Sequence, residues 1–410
     1  MSKLNQGKVT ARYRVAVVDD SRAILVVLKA MFEELGIKDV SSYDDAHKAF
    51  QDIEKAPSLY DLVLTDLNMP NMDGIEFIRK LGNIDFPGAV VIISDMPQEV
   101  ISLASKQARQ NNVHLLGNIA KPVHIDKVQH LFHKLDCLRM FDEDPLANIS
   151  ELALLDAISH NRILPMYMPK VNMVTGKVQS LEVMSCILPR GGGEMSESSC
   201  FIGVARTNEL LNLLTFQLIE KASKDLDHFR NTYSDDLKLA INLHPSQLAD
   251  LNCPDKFTLI LSLNNLNPSD VVIEISEHQP LSEDNVLETI NRLKLRGFEL
   301  SLDEYGSGFT DSQLMYKLPI DEIKISYPLI TEIEKDHFSQ AIVHEIDDIT
   351  TDRKLNMVAC GVARQQELDY LTAKFPKIYI QGPLITKAMK RSDMVQWLKE
   401  RKQSAKTKHM

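Results

Sequence analysis

Two sets of polar residues in this sequence have the types and spacing for phosphate chemistry. In the first, Asp19 and Asp20 close the run RVAVVDD, Asp66 closes DLVLTD, Ser94 closes AVVIIS, and Lys121 follows VHLLGNIA. Three carboxylates at neighbouring strand ends attract a hard divalent cation such as Mg²⁺, which would organise a phosphoryl group around Asp66. A lysine beside them would neutralise the added negative charge. A single aspartate after a strand is commonly a helix cap, but all four groups at the right strands, with the Ser94 hydroxyl, leave little room for that reading. The second set, Glu182, Asn242, Glu274, Asp303, Glu304, Lys324 and Gln381, falls at the ends of later strand-like runs. Oxygen ligands with one lysine are what two-cation phosphodiester hydrolysis uses, with the cations about 3.5 to 4 Å apart. Mg²⁺, Mn²⁺ or Ca²⁺ suits such donors. Singly, each residue reads equally well as a cap or a solvated loop group; their common address points to a ligand role.

The elements that must position these residues follow from the patterning. From Tyr13, short β-branched runs alternate with amphipathic segments, the pattern of a parallel sheet with crossover helices, here a doubly wound (βα)5 unit whose strand ends converge on one crevice. A last helix passes Leu131 and Cys137, FDEDP reads as a break, and a new helix begins at Ile149. Beyond it, LPMYMPKV, VQSLEVM, LKLAINL, VVIEISE, FELSLDE, EIKIS, LNMVACGV and KIYIQG are strand candidates whose number and spacing predict a TIM-like (β/α)8 barrel with its site at the carboxyl ends of the strands. The expected boundaries are 12–135 for the first domain, 136–148 for a linker, 149–398 for the barrel and 399–410 for a basic tail, read as a solvated, frayed terminus.

Composition narrows the class. A formal charge of -11 over 410 residues opposes capture of a polyanion, and no helix-turn-helix signal follows the barrel, so no DNA partner is expected. Cys137, Cys186, Cys200, Cys253 and Cys360 are widely spaced and odd in number, with no CxxC pair, which fits a reduced, cytoplasmic setting. No apolar run reaches the roughly 20 residues that span a bilayer, and MSKLNQGKVT lacks the apolar region of a signal peptide, so no membrane role is expected.

DLVLTDLNMPNMDGIEF resembles the phosphorylation-site segment of response-regulator receivers, VVDDS their acidic pair and IAKP their lysine-proline signature, over residues 12–135. The resemblance implies Asp66 as phosphoacceptor, Asp19 and Asp20 as its partners in holding Mg²⁺, Ser94 as switch hydroxyl, Lys121 as phosphate partner and a sensor histidine kinase upstream. Asn118 stands where the family usually has an aromatic residue, which bears on signal relay rather than on phosphorylation.

The second half is similar to the EAL family of cyclic-di-GMP phosphodiesterases. SLEVM stands for the name-giving segment, INLHPSQL for the asparagine strand, IEISE for the fourth strand, LDEYGSGFT for DDFGTGYS and IDEIKIS for the lysine strand. The resemblance implies Glu182, Asn242, Glu274 and Asp303 as metal ligands, Lys324 beside the water or phosphate, and Glu277 as anchor of the loop after Asp303. The family also pairs through a helical face next to that loop. The departures gather at the chemistry. AEGVE reads ACGVA, so Cys360 and Ala363 replace two glutamates, and the second aspartate is Glu304. A thiol, ordinarily titrating near ~8.5, is a poor substitute for a carboxylate on hard cations at neutral pH, and losing a positioned acid/base group forfeits roughly 10² to 10⁴ in rate. Met168 replaces the glutamine before proline and Cys186 the arginine after the EAL segment, removing a strong donor and a charge-assisted bond of about 1.5 to 3 kcal/mol to an anionic ligand. Arg206 stands where a glutamate is frequent and reads as a surface residue.

The expectation is a two-component response regulator whose phosphorylated receiver controls a catalytically impaired EAL domain, acting in cyclic-di-GMP signalling by binding an active EAL phosphodiesterase or a second copy of itself. The alternatives are a weak phosphodiesterase using Mg²⁺ or Mn²⁺, and a sensor that binds cyclic-di-GMP weakly without cleaving it.

Overall fold

Apolar runs bounded by turn residues form most strands of the sheets in both halves of the chain. The computed structural model describes residues 13–96, 104, 113–142, 149–190, 195–197, 200–207, 210–277, 281, 284–306 and 312–408. The chain passes from the first unit to the second at Leu138–Arg139.

In the first unit β1 (Arg14–Val18), β2 (Asp39–Tyr43), β3 (Leu62–Asp66), β4 (Ala89–Ser94) and β5 (His114–Ala120) form a parallel sheet in the order β2-β1-β3-β4-β5. β3 and β4 are buried along their whole length, which is why they read as unbroken apolar runs rather than alternating ones. Val17, Leu64 and Val91 pack with Leu28 and Phe32 of the helix Arg22–Glu34 and with Val128 and Phe132 of the helix Ile125–Asp142. The rings of Phe32 and Phe132 meet edge-on at 5.7 Å. Strand order reverses between β1 and β3, so the residues after these two strands open onto one crevice. The helix begun at Ile125 continues to Asp142, through the first part of the expected linker; residues 143–148 of that linker lie outside the described residues.

The second unit closes eight strands into a ring: β6 (Ile163–Asn172), β7 (Val178–Ile187), β9 (Lys238–Leu243), β10 (Val271–Ser276), β11 (Glu299–Tyr305), β12 (Glu322–Ile325), β13 (Asn356–Ala359) and β14 (Tyr379–Ile380), with the short β8 (Ser196–Glu197) paired outside to the end of β7. All eight expected strands are present. One runs backwards: β6 is antiparallel to both β7 and β14. Its connection to β7 explains this, because a parallel neighbour needs a crossover of a dozen or more residues, whereas residues 173–177 make a tight turn in which the Asn172 side-chain oxygen accepts from the backbone N–H of Val174 and Thr175. The reversal sets Met168 directly opposite Glu182.

The expected frayed tail is helical: Arg391–Lys408 is one helix, rich in the straight-chain residues that favour it. Arg401 stacks over Trp397 at 5.3 Å and Lys402 Nζ donates to the Thr232 carbonyl at 3.1 Å, so its start is tied to the barrel. Among the described residues no helix is long and apolar enough to cross a membrane.

Candidate functional site

In the first unit the crevice collects the residues expected there. Asp19 and Asp66 are buried and Asp20 is exposed, and each offers an oxygen within 4.8 Å of the others. Lys121 Nζ lies 2.8 Å from Asp19 Oδ2 and 2.7 Å from Asp66 Oδ2. Burial raises the Asp19 pKa above the ordinary aspartate value, against the opposing pull of Lys121. The same ion pairs, outweighing burial, raise that of Lys121. An all-oxygen set of this kind suits Mg²⁺. Ser94, buried at the end of β4, accepts from the Met96 N–H at 3.2 Å. Asn118, at the departure from the receiver pattern, is half-buried in β5 and paired in register with Ile92.

Asp66 is held from behind as well. Its Oδ1 accepts from the Leu67 N–H at 2.7 Å, and Gly74, first residue of the helix capped by Asp73, packs so closely that a Cβ there would stand 2.1 Å from the Asp66 carbonyl oxygen. Gly74→Ala is therefore expected to displace the loop carrying Asp66, destabilising the domain by about 1 to 3 kcal/mol and slowing phosphorylation of Asp66 from a small-molecule donor. Urea unfolding alongside phosphorylation kinetics checks both.

In the barrel, Glu182, Glu274 and Asp303 each bring an oxygen within 4.8 Å of the others. Lys324 Nζ sits among them, 3.2 Å from Glu182, 2.9 Å from Glu274 and 2.9 Å from Asp303. Asn242 Nδ2 donates to Glu182 Oε1 at 2.9 Å and Gln381 Nε2 to Glu182 Oε2 at 2.6 Å. Asp303 lies where β11 slips in register against β12, between Leu302 and Tyr305, a local irregularity of the bulge type common beside active sites. Glu304, at φ 58°, is turned aside: its Oε2 accepts from Ser276 Oγ at 2.9 Å. Glu277 is buried and its Oε1 accepts from the Gly306 N–H at 2.8 Å, the start of the loop it was expected to anchor; the SGFT part of that loop, residues 307–310, lies outside the described residues.

Burial pushes the Asp303 carboxyl up to about 7, with Glu274, Glu304 and Glu182 adding to the rise and Lys324 opposing it. Glu182 moves the other way: its burial is outweighed by Lys324, Lys170 and the Asn242 and Gln381 donors, which hold it below the usual range. The folded chain thus binds the Asp303 proton more tightly than the unfolded chain, where aspartate titrates near ~4. Stability from Asp303 should fall as pH rises between about 4 and 7, and Mn²⁺ affinity at the barrel should rise over the upper part of that range, because a cation competes with the proton. Denaturation and Mn²⁺ titrations at pH 5.5 and 7.5, taken as roughly bracketing the upper part of that window, check the two opposite signs.

The substituted positions are equally plain. Cys360 follows β13, and burial raises its thiol pKa well above the ordinary value, with Asp303, Glu182 and Glu274 adding to the rise and Lys324 alone opposing it among the leading causes. Its backbone is confined: Gly361, at φ 74°, leaves no room for a Cβ, which would meet the Tyr327 ring at 2.0 Å, and the Val362 N–H donates to the Gln381 carbonyl at 3.1 Å. The exposed Ala363 bonds only by its backbone N–H to Glu367 among the contacts described. Cys186 is buried with its thiol 3.5 Å from Met195 Sδ. Met168 is half-buried beside Glu182 and Arg206 is exposed. Sequence reasoning missed Lys170, which lies beneath the cluster, 2.7 Å from Glu274 and 2.6 Å from Glu322; a lysine inside the apolar run of a strand was the available signal.

The match to the EAL domain model runs over residues 151–388, and that to the response regulator receiver domain over residues 15–133. The chain belongs to the EAL domain family. It carries a receiver ahead of the EAL barrel, and a receiver implies a sensor kinase as partner. RocR of Pseudomonas aeruginosa, a cyclic di-GMP phosphodiesterase, is 22% identical over 313 residues, covering 75% of this chain and 79% of RocR. PdeG of Escherichia coli, named a probable cyclic di-GMP phosphodiesterase, is 28% identical over 233 residues, 55% of this chain; the chain spans 44% of PdeG. The solved complex of the PaMucR phosphodiesterase with c-di-GMP superposes with a TM-score of 0.55 at 23% identity, covering 60% of this chain and all of that one, a likeness of fold.

Proposed function

We propose that this chain is a response regulator in cyclic-di-GMP signalling whose receiver, phosphorylated on Asp66, controls an EAL barrel with impaired hydrolysis that acts by pairing with an active EAL phosphodiesterase. The relationship to RocR, which extends over both halves, supports the signalling context. The residue that follows β13 carries the rest: it is Cys360, a part-exposed thiol whose pKa is raised by desolvation and by the charges of Asp303, Glu182 and Glu274, which favours its protonated form. Glu304 is held by Ser276 and position 363 is alanine, so neither supplies the missing acid.

Cations held by the cluster would activate water and stabilise the leaving oxygen of a phosphodiester. Glu182, Glu274, Asp303 and Asn242 are placed to hold them, and Lys324 to offset negative charge, but a neutral thiol neither accepts a proton from water nor orients it as a carboxylate does. Substrate contacts are weak for a related reason: the Cys186 side chain is spent on Met195, and Met168 offers no strong donor. This also lowers the expected affinity for cyclic-di-GMP and counts against a pure sensor. The retained cluster favours a second reading, a slow phosphodiesterase with Mg²⁺ or Mn²⁺.

The test is a mixing experiment. The full chain, with and without a phosphoryl donor, is combined with an active EAL phosphodiesterase from the same host, and formation of linear pGpG is followed beside an Asp66→Asn control. A partner rate that changes with phosphorylation of Asp66 supports the proposal; no association and no change of rate in either state overturns it.

A further inference from the structure

We infer that Lys170 is a positioning residue for cation binding in the barrel: it fixes one oxygen of Glu274 so that the other is presented to Lys324 and the carboxylates at the mouth. The inference rests on reading Glu182, Glu274 and Asp303 as a cation-holding group. Lys170 is wholly buried in β6, with Nζ 2.7 Å from Glu274 Oε1 and 2.6 Å from Glu322 Oε1, and Glu322 in turn accepts from Ser301 Oγ at 2.8 Å. Glu274, Ser301 and Glu322 stand in register across β10, β11 and β12, while Asp303 and Lys324 lie two residues further toward the rim. Charge therefore alternates up the barrel, from Glu322 through Lys170 and Glu274 to Lys324 and the outer carboxylates.

A buried ion pair is weak evidence of stabilisation, because desolvation offsets most of the attraction and apolar residues of like volume often serve as well. What an apolar residue at 170 would not do is orient Glu274. That carboxylate meets a cation at both ends: Oε1 is ion-paired with Lys170, whose own hydrogen bond goes to Glu322, and Oε2 accepts from Lys324 at 2.9 Å. A cation held by Glu182, Glu274 and Asp303 would meet a Glu274 carboxylate whose inner oxygen is already paired with Lys170. Groups that orient a metal ligand from behind typically change metal affinity by about 10- to 100-fold when removed. Lys170 differs from the family's ligand positions in never reaching the mouth itself.

The experiment is a Mn²⁺ titration read by electron paramagnetic resonance on the full chain carrying Asp19→Asn, which removes the receiver site. Lys170→Met and the charge-balanced Lys170→Met/Glu322→Gln are both expected to weaken barrel binding about 10- to 100-fold. Lys170→Gln, which keeps a neutral donor for Glu274, is expected to lose less in the same direction and decides the question if the methionine variants do not fold. A merely structural lysine would lower the melting temperature in Lys170→Met, recover it in the double variant and leave Mn²⁺ affinity unchanged; unchanged affinity overturns the inference while the cation reading stands. Absence of Mn²⁺ binding with Lys170 intact overturns the cation reading and this inference together.

Discussion

Restoring Cys360→Glu, Glu304→Asp, Met168→Gln and Cys186→Arg in one chain is expected to raise cyclic-di-GMP hydrolysis from near background by roughly 10² to 10⁴, most of it from position 360. The geometry is ready for the change. The segment after β13 is held by the close approach of Gly361 to Tyr327 and by the Val362–Gln381 hydrogen bond, so a glutamate at 360 would enter a confined backbone, within range of the charges of Asp303, Glu182 and Glu274 that raise the pKa of the thiol now there. Glu304→Asp shortens the side chain now caught by Ser276. Cys186→Arg is the hardest of the four, since Cys186 is buried against Met195 and an arginine must leave that packing to reach a ligand. The triple variant without it should therefore regain turnover while retaining a high KM, and steady-state kinetics on both variants separates the two contributions.

The second large effect concerns stability. Lys324→Met leaves Glu182, Glu274 and Asp303 facing one another, with the deeper Lys170 as the remaining cation paired to the cluster among the described residues. Removing one partner of a buried charge group typically costs about 3 to 5 kcal/mol. Urea denaturation of the Lys324→Met chain near neutral pH should show a loss of this size, and lowering the pH should narrow the gap to the unmodified chain as the carboxylates take up protons. Added Mg²⁺ should narrow it too, because a dication supplies the missing charge. An unchanged midpoint in the absence of Mg²⁺ would mean that the carboxylates do not depend on Lys324 for their ionised state.

The sequence was legible wherever local pattern and local chemistry coincide. Twelve of the thirteen core strands announce themselves by apolar, largely β-branched runs between turn residues, β2 (DVSSY) being too polar to show one, and the polar residues in or just after those runs, Asp19, Asp66, Lys121, Glu182, Asp303 and Lys324, do gather into two acidic clusters. Strand direction was not legible, because an apolar run has the same pattern read either way; the five-residue connection 173–177 held the information, and it reverses β6. The partners of Lys170 were hidden for another reason: Glu274 and Glu322 lie far along the chain, and only closure of the ring brings them to one ammonium. The charge of the tail resembles a solvated terminus, whereas its first residues continue the helix Arg391–Lys408 and Lys402 donates to the Thr232 carbonyl. Glu304 shows the limit of reasoning by residue type, since it keeps its charge yet points to Ser276.

Impaired hydrolysis follows if a protonated sulfur at position 360 leaves the barrel without its acid/base group. The most direct measurement is linear pGpG formation by the unmodified full chain with Mg²⁺ or Mn²⁺, beside Glu182→Ala as the blank. A rate indistinguishable from that blank, or only marginally above it, is expected of an impaired barrel. Turnover of about 1 s⁻¹ or faster that disappears in Glu182→Ala would contradict it.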